Sequence, residues 1–192
     1  MRSLAFRSTW QLDGASDHLV SEALYLKDPE GNGIEIYCDR PREEWPDEDD
    51  GSVGMETLPL DLGEFRAIGQ DSKTVLSGTS VGHVHLEVSS VAASRAFYVD
   101  GLGMRVRDRY GDEALFVAAG EYHHHVGLNT WNGRTEPRTG RGLQWFELLV
   151  PDQAALDAVR TRFDQYGTAV SDTEEGITVT DPDGIELRLR VE

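Results

Sequence analysis

The chain has 192 residues, of which 35 are acidic and 18 are basic, so its formal net charge is −17. Nucleic acids and anionic membrane surfaces repel a polyanion, which argues against either as the main partner. The composition is 39% hydrophobic with four tryptophans, which is typical of a globular protein with a real core. The sequence contains no apolar run of about 18 residues that would span a membrane, and its N-terminal apolar stretch is too short for a signal peptide.

The chain contains one cysteine, Cys38, and two lysines against sixteen arginines. A single cysteine forms no internal disulfide and supplies no cysteine-based metal motif, and we expect a cytoplasmic protein. Scarce lysine with excess acid is typical of a salt-adapted surface, because the Debye length falls to about 3 Å at molar salt. A GC-rich genome, which favours arginine codons, is the alternative explanation.

The first two regions differ in composition. Residues 1–40 end in two apolar-rich segments, Ala23–Leu26 and Ile34–Tyr37, which flank a Pro/Gly/Asn turn and predict a hairpin. Residues 41–80 hold the densest acidic run and sustain neither a helical nor a strand period. This region is therefore predicted to be an acidic linker that lies over a surface.

From Val81 onward the pattern predicts two copies of a β-α-β-β-β module. The sequence VGHVHLEV alternates as a strand, with His83, His85 and Glu87 on one face. A short helix ending at a glycine and three further strands follow, and the same order then recurs to the end of the chain. The end of the first region, YLKDPEGNGIEIY, matches TVTDPDGIELRL, so residues 1–40 are predicted to be the tail of another module.

These motifs resemble the vicinal oxygen chelate superfamily, which includes glyoxalase I, extradiol ring-cleaving dioxygenases and fosfomycin- and bleomycin-resistance proteins. The motifs are GHVHLEV, AFYVDGLGMRV, YHHHVGLNTW, DPDGIELRL and DHLVSEALYLKDPEGNGIEIYCDRP, and the resemblance is greatest to catechol 2,3-dioxygenase-like proteins. It implies an α+β fold whose paired modules form an incomplete barrel around a divalent metal. Residues 81–192 would form this two-module domain, and residues 1–40 would be the C-terminal remnant of a first, truncated domain.

The resemblance also implies which residues bind the metal. His83 would come from the first strand of module one, and one of His123, His124 and His125 from its last strand, with His124 favoured by the family's register. Glu186 would come from the last strand of module two. Two imidazoles and one carboxylate hold Fe(II), or alternatively Mn(II), with positions open for substrate and dioxygen. His85 is the candidate acid/base group.

Two positions depart from the family pattern, and each candidate has a structural alternative. Related enzymes often have a histidine ligand where this chain has Gln144 or Trp145, and a tyrosine where it has Thr178. The first region keeps that tyrosine as Tyr25, with Glu35 as a remnant ligand and His18 beside it. The structural alternatives are a core histidine for His83, an exposed strand for the three-histidine run, and a surface carboxylate for Glu186.

We therefore predict a metal-dependent extradiol dioxygenase that acts on a small aromatic diol and dioxygen. The alternatives are a glyoxalase-type isomerase or thiol transferase of the same fold, a metal-free small-molecule-binding protein of the resistance type, and an inactive product of a truncated reading frame. Half a module leaves strand edges unpaired, and unpaired edges seek partners, which predicts a homodimer.

Overall fold

The computed structural model describes residues 11–46, 48–63 and 77–192. The N-terminal apolar stretch and part of the predicted linker lie outside these ranges. The chain divides into two compact units, residues 1–80 and residues 81–192. Among the described residues, the longest helix has 13 residues, and none is long and apolar enough to cross a membrane.

The first unit is an antiparallel sheet that contains the predicted hairpin. Its strands are β1 (Leu12–Asp17), β2 (Ser21–Lys27), β3 (Gly33–Asp39) and β4 (Leu58–Pro59), in the order β3-β2-β1-β4. A 3-10 helix (Arg42–Glu44) follows β3. The short β4 and the 3-10 helix occur in the region where the sequence predicts neither, because two or three residues are too few to show a period.

The turn between β2 and β3 is organised by the carboxylate of Asp28. Its Oδ1 accepts the backbone N–H groups of Glu30 (2.9 Å) and Asn32 (2.8 Å), and its Oδ2 accepts the side-chain amide of Asn32 (2.7 Å). The hydrogen bonds from Asn32, and then those from Glu30 and Gly31, favour the ionised carboxylate. They lower the pKa of Asp28 below its ordinary value of 3.8.

The second unit contains both predicted modules. The first consists of β5 (Val84–Glu87), helix α1 (Val91–Arg95) with its π-helical continuation (Ala96–Gly101), β6 (Arg105–Tyr110), β7 (Ala114–Ala118) and β8 (Val126–Asn129). The second consists of β9 (Trp145–Val150), helix α2 (Gln153–Gln165), β10 (Ser171–Asp172), β11 (Gly176–Thr180) and β12 (Glu186–Val191).

Each module forms one open four-stranded sheet. The strand orders are β5-β8-β7-β6 and β10-β11-β12-β9. In each sheet the first and last strands of the module are parallel neighbours, β5 with β8 and β9 with β12, and the remaining pairs are antiparallel. The fold is α+β, as the resemblance implies, and neither sheet closes into a barrel.

The two modules share one apolar core, to which both sheets and both helices contribute buried side chains. Where the helical segments meet, the ring centroids of Phe97 and Phe163 lie 5.0 Å apart. A Cβ on Gly101 would lie 2.7 Å from Phe163 Cε1, so the absence of a side chain there permits the close approach. The guanidinium of Arg162 then donates to the carbonyl of Leu102 (2.7 Å), just after the π-helical segment.

A buried tyrosine connects the helix of module one to the DPDG turn of module two. The fully buried Tyr98 donates its hydroxyl to Asp181 Oδ2 (2.9 Å), while Asp181 Oδ1 accepts the backbone N–H groups of Asp183 (2.9 Å) and Ile185 (2.8 Å). Asp183 in turn accepts the backbone N–H of Ser89, between β5 and α1. Burial raises the pKa of Asp181 above 3.8, although the hydrogen bonds it accepts oppose that change.

Replacing Tyr98 with phenylalanine is expected to destabilise the second unit by about 1–3 kcal/mol, because a buried carboxylate loses its hydroxyl donor. The free energy of unfolding from urea denaturation measures the change. Tyr166→Phe is the matched control, since the Tyr166 side chain is exposed. Equal losses in the two variants would contradict a specific role for the Tyr98 hydroxyl.

Candidate metal centre

Three histidines of module one converge at one end of its sheet. His85 lies in β5, His83 directly precedes β5, and His124 lies two residues before β8. One ring nitrogen from each lies within 4.8 Å of the other two, and this is the only such group of three His, Cys, Asp or Glu side chains in the described ranges. The Nε2 atoms of His85 and His124 are 3.2 Å apart.

The parallel pairing of β5 with β8 explains this convergence. Parallel strands begin at the same end of a sheet, so the residues that precede them are neighbours. Val84 is paired with Val126, and the backbone N–H of Val84 donates to the carbonyl of His125 (3.0 Å). The two histidine-bearing segments therefore enter the sheet side by side, although about forty positions separate them in the sequence.

A glycine on β8 makes room for the imidazole of His85. Gly127 is the direct neighbour of His85 across the parallel pair. A Cβ at Gly127 would lie 2.7 Å from His85 Nδ1 and 2.9 Å from its Cε1, distances that ordinary side chains do not reach. The ring of His85 thus lies against the β8 backbone, and its orientation depends on the missing side chain at position 127.

Phe116 forms an apolar wall beside the histidines. It is paired with Gly127 on the other side of β8, so His85, Gly127 and Phe116 form a row across three strands. Its ring centroid lies 5.2 Å from that of His124 and 6.0 Å from that of His85, in edge-to-face contacts. The Phe116 ring offers a flat apolar surface to an aromatic ligand beside the exposed His85 and the buried His124.

The three-histidine run does not form the strand that the sequence predicts. Residues 123–125 precede β8 in an irregular segment, so strict alternation does not apply, and His123 and His124 are both buried. His124 contributes to the three-histidine group, while the half-buried His125 accepts the backbone N–H of Ala119 (3.3 Å). Burial, and secondarily the nearby His83, lower the pKa of His125 below 6.5.

Glu186 is not part of the three-histidine group. It begins β12 opposite Trp145, and its Oε1 accepts the Nε–H of Arg188 (2.7 Å). The guanidinium of Arg188 lies 3.8 Å from the centre of the Trp145 ring. Glu186 and Arg188 line a charged groove of about 420 Å³ on the sheet of module two.

In the first unit, the hydroxyl of Tyr25 contacts both Glu35, the predicted remnant ligand, and His18. The hydroxyl of Tyr25 donates to Glu35 Oε1 (3.0 Å) and is also hydrogen-bonded to His18 Nε2. His18 Nδ1 lies 2.6 Å from the carbonyl oxygen of Glu56. Burial, followed by the charge and hydrogen bond of Glu35, raises the pKa of Tyr25 above 10.

The strand register changes which residue of the first unit corresponds to Glu186. Gly33 pairs with Lys27 directly before the turn, just as Glu186 pairs with Thr180. By register Glu186 therefore corresponds to Gly33, and Glu35 lies two residues further along its strand. Both turns contain five residues between the paired positions, but Glu35 lies four positions after the turn glycine Gly31, whereas Glu186 lies two positions after Gly184.

Comparison with known proteins identifies the family. Residues 80–189 match the model of the Glyoxalase/Bleomycin resistance protein/Dioxygenase superfamily. The chain belongs to this superfamily. A curated relative, the catechol-2,3-dioxygenase of Bacillus subtilis (strain 168), is 45% identical over 175 residues, which cover 88% of this chain. The match spans 61% of the length of that relative.

Solved structures of the superfamily also resemble this chain. A glyoxalase/dioxygenase from Nostoc punctiforme is 17% identical, with a TM-score of 0.49 over 64% of this chain and 99% of that one. A glyoxylase/bleomycin resistance protein/dioxygenase domain from Frankia sp. EAN1pec is 25% identical, with a TM-score of 0.46 over 61% of this chain and 98% of that one.

The three-histidine group fits a divalent transition metal. Neutral imidazole nitrogens suit iron, zinc, copper and nickel. Three protein ligands leave coordination positions for water or substrate, as catalytic centres require. Because Gly127 has no side chain, the ring of His85 fits against the backbone of β8 and stays within the group. The group contains two of the predicted ligands, His83 and His124, together with His85, the predicted acid/base residue, and Glu186 is not among the three.

Gly127→Ala is expected to weaken Co²⁺ binding by at least about tenfold, because the added methyl group displaces His85 from the group. Calorimetric titration of the metal-free protein measures the dissociation constant. Gly33→Ala is the control, since a Cβ there meets no atom within 4 Å. An unchanged dissociation constant in Gly127→Ala would contradict the assignment of His85 as a ligand.

Proposed function

We propose that this protein is a metal-dependent extradiol dioxygenase that opens a catechol-type ring beside its two hydroxyl groups. The observation that carries the proposal is the convergence of His83, His85 and His124 within 4.8 Å. The 45% identity to a protein named catechol-2,3-dioxygenase supports the substrate class. The co-substrate would be dioxygen, and the metal Fe(II) or alternatively Mn(II). The cytoplasmic location and the homodimer stay predictions.

In this proposal the three histidines hold the metal, and no carboxylate takes part. A divalent metal supplies positive charge that lowers the pKa of a coordinated hydroxyl group. Three neutral imidazoles leave that charge uncompensated, so the centre favours a substrate that binds as an anion. His85, the candidate acid/base group predicted from the sequence, is a metal ligand in this proposal.

In this proposal Phe116 orients the substrate beside the histidines. The Phe116 ring lies beside both His85 and His124. A catechol ring stacked against it would present its hydroxyl groups toward the histidines while the apolar wall excludes water from one side. Positioning of this kind lowers the barrier by fixing the reacting groups before the reaction begins.

A second location for the same chemistry is favoured by the Tyr25 hydrogen bonds in the first unit. His18 and Glu35 both contact the Tyr25 hydroxyl, and one imidazole with one carboxylate is part of the donor set of non-haem iron oxygenases. Tyr25 also lies at the position where the family resemblance implies a tyrosine in ring-cleaving enzymes. Glu35→Gln therefore tests whether this unit contributes to the reaction.

The test loads the purified protein anaerobically with Fe(II) or Mn(II) and then adds catechol and air. The wild type is expected to form the yellow ring-opened product. His124→Ala is expected to lose more activity than the roughly 10–100-fold typical of changes next to a ligand. Glu35→Gln is compared with Glu30→Gln, a matched change at an exposed carboxylate.

The pattern of losses identifies the centre. Loss in His124→Ala with activity retained in both glutamine variants supports the three-histidine group. Loss in Glu35→Gln, with His124→Ala and Glu30→Gln active, would move the proposed centre to the first unit. A wild type that binds metal but forms no product would overturn the proposed reaction.

A further inference from the structure

The imidazole of His123 lies directly behind His124 and is not one of the three converging histidines. His123 is completely buried, and its Nδ1 lies 2.7 Å from the Nδ1 of His124. The opposite nitrogen of His124, Nε2, faces His85 Nε2 at 3.2 Å. His124 is therefore held between two imidazoles, one behind it and one within the three-histidine group.

The hydrogen bond between the two Nδ1 atoms determines where the protons are. A hydrogen bond between two imidazole nitrogens requires one N–H donor and one acceptor with a lone pair. If His124 is to offer the lone pair of Nε2 to a metal, its own proton must be on Nδ1. His123 must then accept that proton's hydrogen bond at Nδ1 and carry its own proton on Nε2.

The surrounding side chains hold the His123 ring in this position. The ring of Tyr122 packs on it with a centroid distance of 4.1 Å and an angle of 32°. On its other side, the centroid of His83 lies 6.1 Å away. The irregular backbone before β8 lets the adjacent residues His123 and His124 point into the same buried space, which a regular strand would prevent.

We propose that His123 is a positioning residue for the metal centre: it accepts the Nδ1–H of His124 and so keeps Nε2 of His124 available as the ligand atom. The inference rests on the proposed function. It assigns distinct roles within the histidine run, since His124 binds the metal and His123 fixes the tautomer and orientation of His124. His125 takes no part in either role.

Calorimetric titration with Co²⁺ alone tests the proposal in the full chain. His123→Phe keeps an aromatic ring against Tyr122 but removes the acceptor, and it is expected to weaken Co²⁺ binding by about 10–100-fold. His123→Asn is expected to restore most of the affinity, because its Oδ1 can accept the His124 proton. His125→Phe, the matched change at the next residue, is expected to bind like the wild type.

Long-range ¹H–¹⁵N NMR spectra of the metal-free wild type provide a test that needs no variant to fold. They are expected to show His124 protonated on Nδ1 and His123 on Nε2, and a proton on Nε2 of His124 would overturn the inference. Equal affinity of His123→Phe and wild type, with His124→Ala unable to bind, would also overturn it and leave the metal centre intact. A wild type without Co²⁺ affinity would instead overturn the proposed centre, and the inference with it.

Discussion

The second unit depends on one buried hydrogen bond, from the hydroxyl of Tyr98 to the carboxylate of Asp181. Neither group could be buried alone without a large loss of hydration free energy, so the two must be buried together. The tyrosine belongs to the helical segment of module one, and the aspartate begins the turn before β12 of module two. Because Asp183 of the same turn also accepts the backbone N–H of Ser89, the turn is bonded to the segment before helix α1 and to the π-helical segment after it.

The hydrogen bond between Tyr98 and Asp181 fixes the position of the helix of module one. That helix covers one face of the histidine-bearing sheet, and the histidines lie at the end of the same sheet. The core thus fixes the sheet, the parallel β5–β8 pair brings His83 and His124 together, and Gly127 leaves room for His85. The group consists of imidazoles, which add no negative charge to a metal centre, in a chain with a net charge of −17. A strongly negative protein raises the local concentration of cations, which favours metal uptake by uncharged ligands.

The modular architecture could be predicted from sequence because period-two alternation, a helical period and the repeated turn motif all agree. His83 and His124 could be chosen as candidates from the motifs that contain them. The run around His124 could not be resolved, since alternation gives a face only inside a regular strand, and this segment is irregular. The contribution of His85 depends on the empty space at Gly127, which appears only after β8 is paired with β5. The carboxylate of Glu186 follows the expected turn, but the fold places it beside Arg188.

The two DP turns have opposite responses to acid. Asp28 and Asp181 accept backbone N–H groups two and four residues ahead in the same way. Hydrogen bonds lower the pKa of Asp28, whereas burial raises the pKa of Asp181. Asp28 stabilises the fold above its ordinary pKa of 3.8, and this contribution is lost as the pH falls through its lowered value. Asp181 contributes to the stability of the fold below pH 3.8, and this contribution is lost as the pH rises through its raised pKa. Acidification therefore weakens the first unit at Asp28 while it favours the folded form of the second unit at Asp181.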